Sequence, residues 1–237
     1  MNRARGGDVV DVGRATPPAA PALPVGGFAV VDVETTGFSP ERDRVVELAV
    51  VVLAADGEVL SCFATLLDPG RDPGPTHVHG ITADMLVGAP SFADVQPYLA
   101  HLLSGRVLVG HNVGRFDLAF LAAECTRAGA GTPPSPVELV DTLRVARQRL
   151  DLRGQASLAD CCDRFGLVWE DHHSALGDAL ATASLLGAMR RAVGDGELDL
   201  PAALVRAAAN RWPGARDAVP PMRLRPGTRT GARVLTG

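Results

Sequence analysis

The chain predicts an α/β fold in which a mixed sheet is flanked by helices. Three apolar runs rich in β-branched residues follow one another before Asp68 with turn residues between them, the pattern of an antiparallel meander. Beyond that point helical periodicity alternates with short apolar strands, and the resulting β-β-β-α-β-α-β-α order calls for a mixed sheet covered by helices. At 237 residues, 46% hydrophobic and 21% charged, the chain is long enough to bury one good core.

Each element has its own signal. The first strand, Phe28 to Glu34, ends at Thr36-Gly37; the second runs from Arg44 to Ala55; the third, Glu58 to Leu67, is joined to it through Ala55-Asp56-Gly57. Helical spacing then covers Ser91 to Leu103, followed by a strand at Arg106 to Gly110, a helix from Phe116 to Ala128 and a strand at Val137 to Val140. Helices close the series at Leu143–Leu150, Ser157–Phe165 and Ser174–Val193, where serines stand at capping positions. Residues 1–26, with four prolines, read as a flexible leader, residues 27–200 as the folded domain, and residues 201–237 as a basic, disordered tail.

Charge sharpens that division. The formal charge is −4, and all 23 basic side chains are arginine. The leader holds three arginines and two acids, residues 27–200 hold 13 and 24, and the tail holds seven and one. The tail is expected either to be a solvated end or to meet nucleic acid or a partner in a salt-sensitive way. No apolar run approaches the roughly 20 residues of a spanning helix, so no membrane association is expected. Cys62, Cys125, Cys161 and Cys162 show no CxxC spacing, which fits a cytoplasmic protein without a disulfide framework or zinc site.

Asp32 and Glu34 stand two apart on the first strand, so both carboxylates leave the same face of the sheet. Acids in an apolar strand need compensation by arginine, hydrogen bonds or a cation. Asp117 follows Phe116 at the start of an apolar helix, where a carboxylate also suits the helix dipole. His173 lies at a loop-to-helix junction, and Asp178 lies five residues on, about one turn into that helix, so both can approach one site; capping is the plainer role for this pair.

Four segments together carry a resemblance to a family: Asp32-Val-Glu-Thr-Thr-Gly37, His79-Gly-Ile-Thr82, His111-Asn112 followed by Phe116-Asp117, and His173 with Asp178. In this order the sequence resembles the DEDDh-type 3′–5′ exonucleases, and most closely the proofreading epsilon subunit type of bacterial DNA polymerase III and its free-standing relatives. The resemblance spans about residues 27–190. It implies an RNase H-like mixed five-stranded sheet, Asp32, Glu34, Asp117 and Asp178 as ligands of two divalent cations, Mg²⁺ or Mn²⁺, and His173 as general base. Thr35, Thr36, Gly37, His79, Asn112 and Phe116 are implied at the substrate. His172 lacks the five-residue separation from Asp178 and is assigned to the surface.

The chemistry suits these residue types independently of the name. Carboxylate oxygens are ligands for hard cations, and a cation pair can clamp the attacking and leaving oxygens of a phosphodiester. Histidine is the side chain whose ordinary pKa sits nearest neutrality. One departure is visible: three residues, Val113, Gly114 and Arg115, separate Asn112 from Phe116 where relatives have two, and Gly114 is expected to absorb the extra residue without moving Asp117. Trp169 is a candidate wall of the cleft or a loop-packing residue, and Cys161 and Cys162 are expected in the core.

The expected function is therefore hydrolysis at the 3′ end of single-stranded or frayed DNA, with release of nucleoside 5′-monophosphates. The alternatives are an RNA-trimming enzyme of the same chemistry and a subunit that acts mainly by binding a DNA polymerase or repair complex.

Overall fold

The structure is a computed structural model that describes residues 23–133, 137–152, 154, 156–169 and 172–228. Most of the leader, residues 1–22, and the end of the tail, residues 229–237, lie outside the described residues.

Five strands form one sheet: β1 (Phe28–Thr35), β2 (Val45–Leu53), β3 (Val59–Leu66), β4 (Val107–Gly110) and β5 (Leu139–Asp141), in the order β3-β2-β1-β4-β5. The pairs β1–β2 and β2–β3 are antiparallel, whereas β1–β4 and β4–β5 are parallel, so this is the mixed sheet that the pattern predicted. The carboxyl ends of β1, β4 and β5 therefore share one edge, where open α/β sheets gather their sites.

Eight helices accompany the sheet among the described residues: α1 (Thr76–His79), α2 (Ala83–Leu86), α3 (Phe92–Leu103), α4 (Asp117–Arg127), α5 (Thr142–Arg149), α6 (Leu158–Phe165), α7 (Ala175–Val193) and α8 (Leu200–Ala207). Odd and even strand positions send their side chains to opposite faces. Phe28, Val30, Ala49 and Val51 pack under α5, α6, α7 and α8. Ala29, Val31, Val50 and Val52 pack under α3 and α4. With both faces covered, all nine residues of β2 are buried, which is why its sequence reads as a continuous apolar run rather than an alternation. Ser91 and Ser157 form capping boxes with Asp94 and Asp160, and Cys161 and Cys162 are buried under α7 as expected. No helix among the described residues is long and apolar enough to cross a membrane.

The join between β1 and β2 is the loop 36–44, closed by Asp43, which accepts from Ser39 N and from Thr36 Oγ1. Gly37 is required here, since a β-carbon at this position would collide with the Asp43 carboxylate. One expectation needs correction, that for the tail. Residues 200–228 are part of the fold: α8 packs on the sheet through Leu200, Ala203 and Ala207, and the chain then runs back along α3 to the free edge of β3. Trp212 and Val219 enter the core on the α3/α4 side, and Leu66 N donates to Arg223 O. The segment looked disordered because prolines and glycines leave little periodicity, yet extended strapping segments need no periodicity to bury a few anchors.

Trp212 is 5% exposed. Replacing it by alanine should cost about 3–5 kcal/mol, read as a lowered denaturant midpoint. An unchanged midpoint would place the strap outside the cooperative fold.

Candidate active site

The strand β1 delivers Asp32 and Glu34 to the face that carries α7, at the edge where β1 and β4 end. Helix α7 approaches the same place with its amino end, and its Asp178 completes a group: one carboxylate oxygen each from Asp32, Glu34 and Asp178 lie within 4.8 Å of one another. Asp117 reaches the cluster from the other side of the sheet. It opens α4, is buried, and accepts a hydrogen bond from Val33 N at 3.1 Å, between the two β1 acids. Acids from three separate segments of the sequence thus meet in one place, supplied by a strand and two helix starts.

The electrostatics are those of acids short of a counter-charge. Burial pushes the Asp32 carboxyl well above its ordinary value, and Asp117, Asp178, Glu34 and Glu47 add repulsion. Glu34 is pushed up to about 8 by burial first, then by Asp178 and Glu47, with Arg225 acting against them. Asp117 is raised by burial, against the hydrogen bonds from its own amide and Val33 N. Asp178 is raised by burial and moderated by the Trp169 indole, which donates to its Oδ1 at 3.0 Å, and by the His173 amide. Crowded hard oxygen donors of one sign are what a divalent cation relieves, and the donor set fits Mg²⁺ or Mn²⁺.

A stability test follows. Because the folded pKa of Glu34 lies above its ordinary 4.5, the folded state holds that proton more tightly than the unfolded one, so the metal-free protein should lose stability as pH rises from 4.5 through about 8. Thermal midpoints taken in a chelator should fall by several degrees over this window, and millimolar Mg²⁺ should flatten the slope. A flat profile in chelator would mean that the carboxylates are already compensated.

His173 precedes α7 and is exposed, with backbone φ of +60°, a left-handed conformation that histidine tolerates better than most residues. The adjacent Ser174 caps the helix by accepting from Gly177 N. His172 is exposed and stacks on Trp169 with ring centroids 3.9 Å apart, so Trp169 both borders the cluster and bonds to one of its acids.

The residues expected at the substrate divide. Phe116 is partly buried at the start of α4, edge-on to Phe38, which is 85% exposed. Thr35 is buried with its hydroxyl donated to Gly37 O, and Thr36 spends its amide on Arg44 O, so these groups close the loop rather than face a ligand. The expectation for His79 is also corrected. It is 2% exposed, its Nδ1 accepts from Ile81 N, and burial lowers its pKa, so its ring is turned into the protein. Asn112 turns the chain after β4 with φ of +72°: its amide donates to Asp141 Oδ1, and its carbonyl accepts from both Arg115 N and Phe116 N. The turn is closed by these bonds, and Asp117 keeps its bond to β1. The His111 ring bridges Thr142 Oγ1 and Ala156 O.

Three neighbours escaped the sequence reading. Glu47, paired across from Glu34 in the β1–β2 register, is 3% exposed and accepts from Ala175 N at the start of α7. Asp141 caps α5 and repels Asp117. Arg225, from the strap, pairs with Glu47 at 2.9 Å. For Glu47 a signal existed, since it interrupts the longest apolar run of the chain.

Comparison with known proteins agrees with the geometry. The exonuclease family profile of the RNase T type matches residues 29–186. A PolC-type DNA polymerase III of Lacticaseibacillus paracasei is 36% identical over 166 residues, covering 69% of this chain and 11% of the polymerase. The PolC-type polymerase of Clostridium perfringens is 35% identical over 161 residues, covering 67% of this chain and again 11% of that protein. The chain thus spans about a ninth of the length of these relatives. Among solved structures, E. coli exonuclease I in complex with a dT13 oligonucleotide superposes with a TM-score of 0.62 at 20% identity, covering 73% of this chain and 42% of that one. A 3′-exonuclease that recognises the histone mRNA stem-loop gives 0.60 at 20% identity, covering 70% and 81%. At such identities the superpositions speak to the fold alone, which is the RNase H-like α/β architecture. With the profile spanning most of the described chain and the acids meeting at the edge of such a sheet, the chain belongs to the exonuclease family, as a domain of the 3′–5′ type.

Proposed function

We propose that the protein hydrolyses the terminal phosphodiester at the 3′ end of single-stranded or frayed DNA and releases nucleoside 5′-monophosphates. The observation that carries this is the convergence of Asp32, Glu34 and Asp178, with Asp117 beside them, in a crowded cluster of hard donors. Asp32, Glu34, Asp117 and Asp178 would hold two divalent cations, Mg²⁺ or Mn²⁺, whose charge offsets that of the attacking and leaving oxygens. His173 takes the proton from the attacking water, and the 3′ oxygen of the penultimate nucleotide departs as the phosphorus–oxygen bond breaks. Trp169 and the His173 amide keep Asp178 oriented. Phe116 and the exposed Phe38 offer apolar faces on which the terminal bases can stack, and the backbone around Gly37 borders the same mouth.

Recognition through the phosphate ignores base identity, so the choice between DNA and RNA rests on the 2′ position. The likeness to a segment of PolC-type DNA polymerases supports DNA, and by the same likeness a polymerase or repair complex is the proposed partner. The test is digestion of 3′-labelled DNA and RNA oligonucleotides in Mg²⁺ or Mn²⁺. Mononucleotide release from DNA is expected. Release from RNA alone would move the protein to RNA trimming, and no release from either would leave a binding subunit.

A further inference from the structure

We infer that Arg225 is a positioning residue for His173: from the far end of the chain its guanidinium fixes the backbone of the proposed general base against the sheet. The inference rests on the general-base reading above and adds a residue to it. Arg225 Nη1 donates to His173 O at 3.1 Å, and Nη2 donates to Glu47 Oε2 at 2.9 Å and to His79 O at 2.7 Å. Glu47 Oε2 in turn accepts from Ala175 N at 3.1 Å. The carbonyl of residue 173 and the amide of residue 175 are therefore held by the two members of one ion pair, on either side of the capping Ser174.

The setting makes this more than a surface contact. The Arg225 and Glu47 side chains are 17% and 4% exposed, and a pair taken out of water holds its geometry where an exposed pair does not. His173 has the left-handed backbone conformation that surrounding structure must over-determine, and with the backbone pinned only the side-chain torsions remain to place the imidazole. The same clamp secures the first turn of α7, which carries Asp178. Arg225 is brought there by the strap, whose Arg223 exchanges hydrogen bonds with Leu66 N and Thr65 Oγ1 at the outer edge of β3. Without Arg225, the His173 carbonyl loses its donor, and Glu47 loses its counter-charge opposite Glu34 and keeps only the Ala175 amide.

The full chain is assayed on a 3′-labelled DNA oligonucleotide in Mg²⁺, at a temperature where circular dichroism shows every variant folded. Arg225→Ala should lower kcat by about 10- to 100-fold, because the base is displaced. KM should stay within about twofold. Millimolar guanidinium should restore part of kcat to Arg225→Ala but not to His173→Ala, and an equal concentration of sodium chloride should restore none. Arg225→Lys should fall between, since one ammonium cannot span all three acceptors. Wild-type kcat in Arg225→Ala, beside an inactive His173→Ala, overturns the inference alone. Loss of kcat that guanidinium does not recover also overturns it, because it assigns Arg225 a merely structural role. A His173→Ala variant as active as wild type defeats the general-base reading and the inference together.

Discussion

Asp32→Asn is expected to lower turnover by at least about 10²- to 10³-fold and, with the opposite sign, to raise the thermal midpoint of the metal-free protein. Both effects have one cause. Asp32 sits among Asp117, Asp178, Glu34 and Glu47, and its charged form is disfavoured by burial and by all four. An amide of the same shape removes one of the crowded charges, which relieves the apo fold, and removes a ligand, which empties the reaction of charge stabilisation. Activity measured on a 3′-labelled oligonucleotide and melting measured in chelator would show the trade directly. If the variant melts lower than wild type without metal, Asp32 is compensated by partners other than a cation and the assignment of the cluster fails.

His173→Ala should cost about 10²- to 10⁴-fold in kcat, the span of a lost general base, with little change in KM or in the Mg²⁺ concentration needed for stabilisation. The separation from Asp32→Asn is the informative part: one variant spares cation binding, the other does not. Thermal shift against Mg²⁺ reads it. His172→Ala serves as the neighbour control, since that ring stacks on Trp169. Equal losses in the two histidine variants would assign the effect to the loop and not to a proton acceptor.

The fold was legible because its signals are local. Strand and helix limits fell within a few residues of those in the structure, and Ser91, Ser157 and Ser174 stood at the caps. Spacing and order singled out the four acids, and the structure brings them together at one sheet edge. What sequence could not tell is which polar groups are spent internally. Nothing in His77-Val-His79-Gly says that the second histidine is buried, and nothing in Thr35-Thr36 says that the loop 36–44 consumes their hydrogen bonds. Arg225 was beyond reach for a stronger reason. Its partners lie 52, 146 and 178 residues away, and its surroundings of proline and glycine have no period to read. Seven arginines against one acid suggested a tail free to meet phosphate, yet Arg225 is committed to Glu47, and Arg206 to Glu138 and Asp199. A truncation after Leu200 would therefore remove core anchors as well as charge.

The strap also sets the order in which the molecule can be finished. Joining Glu47 to Arg225 closes a loop of 178 residues, among the most non-local contacts in the chain, whereas the β1–β2–β3 meander and α7 form from near neighbours. Contacts of such separation form late, because the entropy of closing the loop comes before any gain from the contact. During refolding or synthesis the sheet and its acids would be in place while the chain around His173 is still unclamped. Secondary structure would then recover ahead of nuclease turnover, and the interval between the two would measure the docking of residues 200–228.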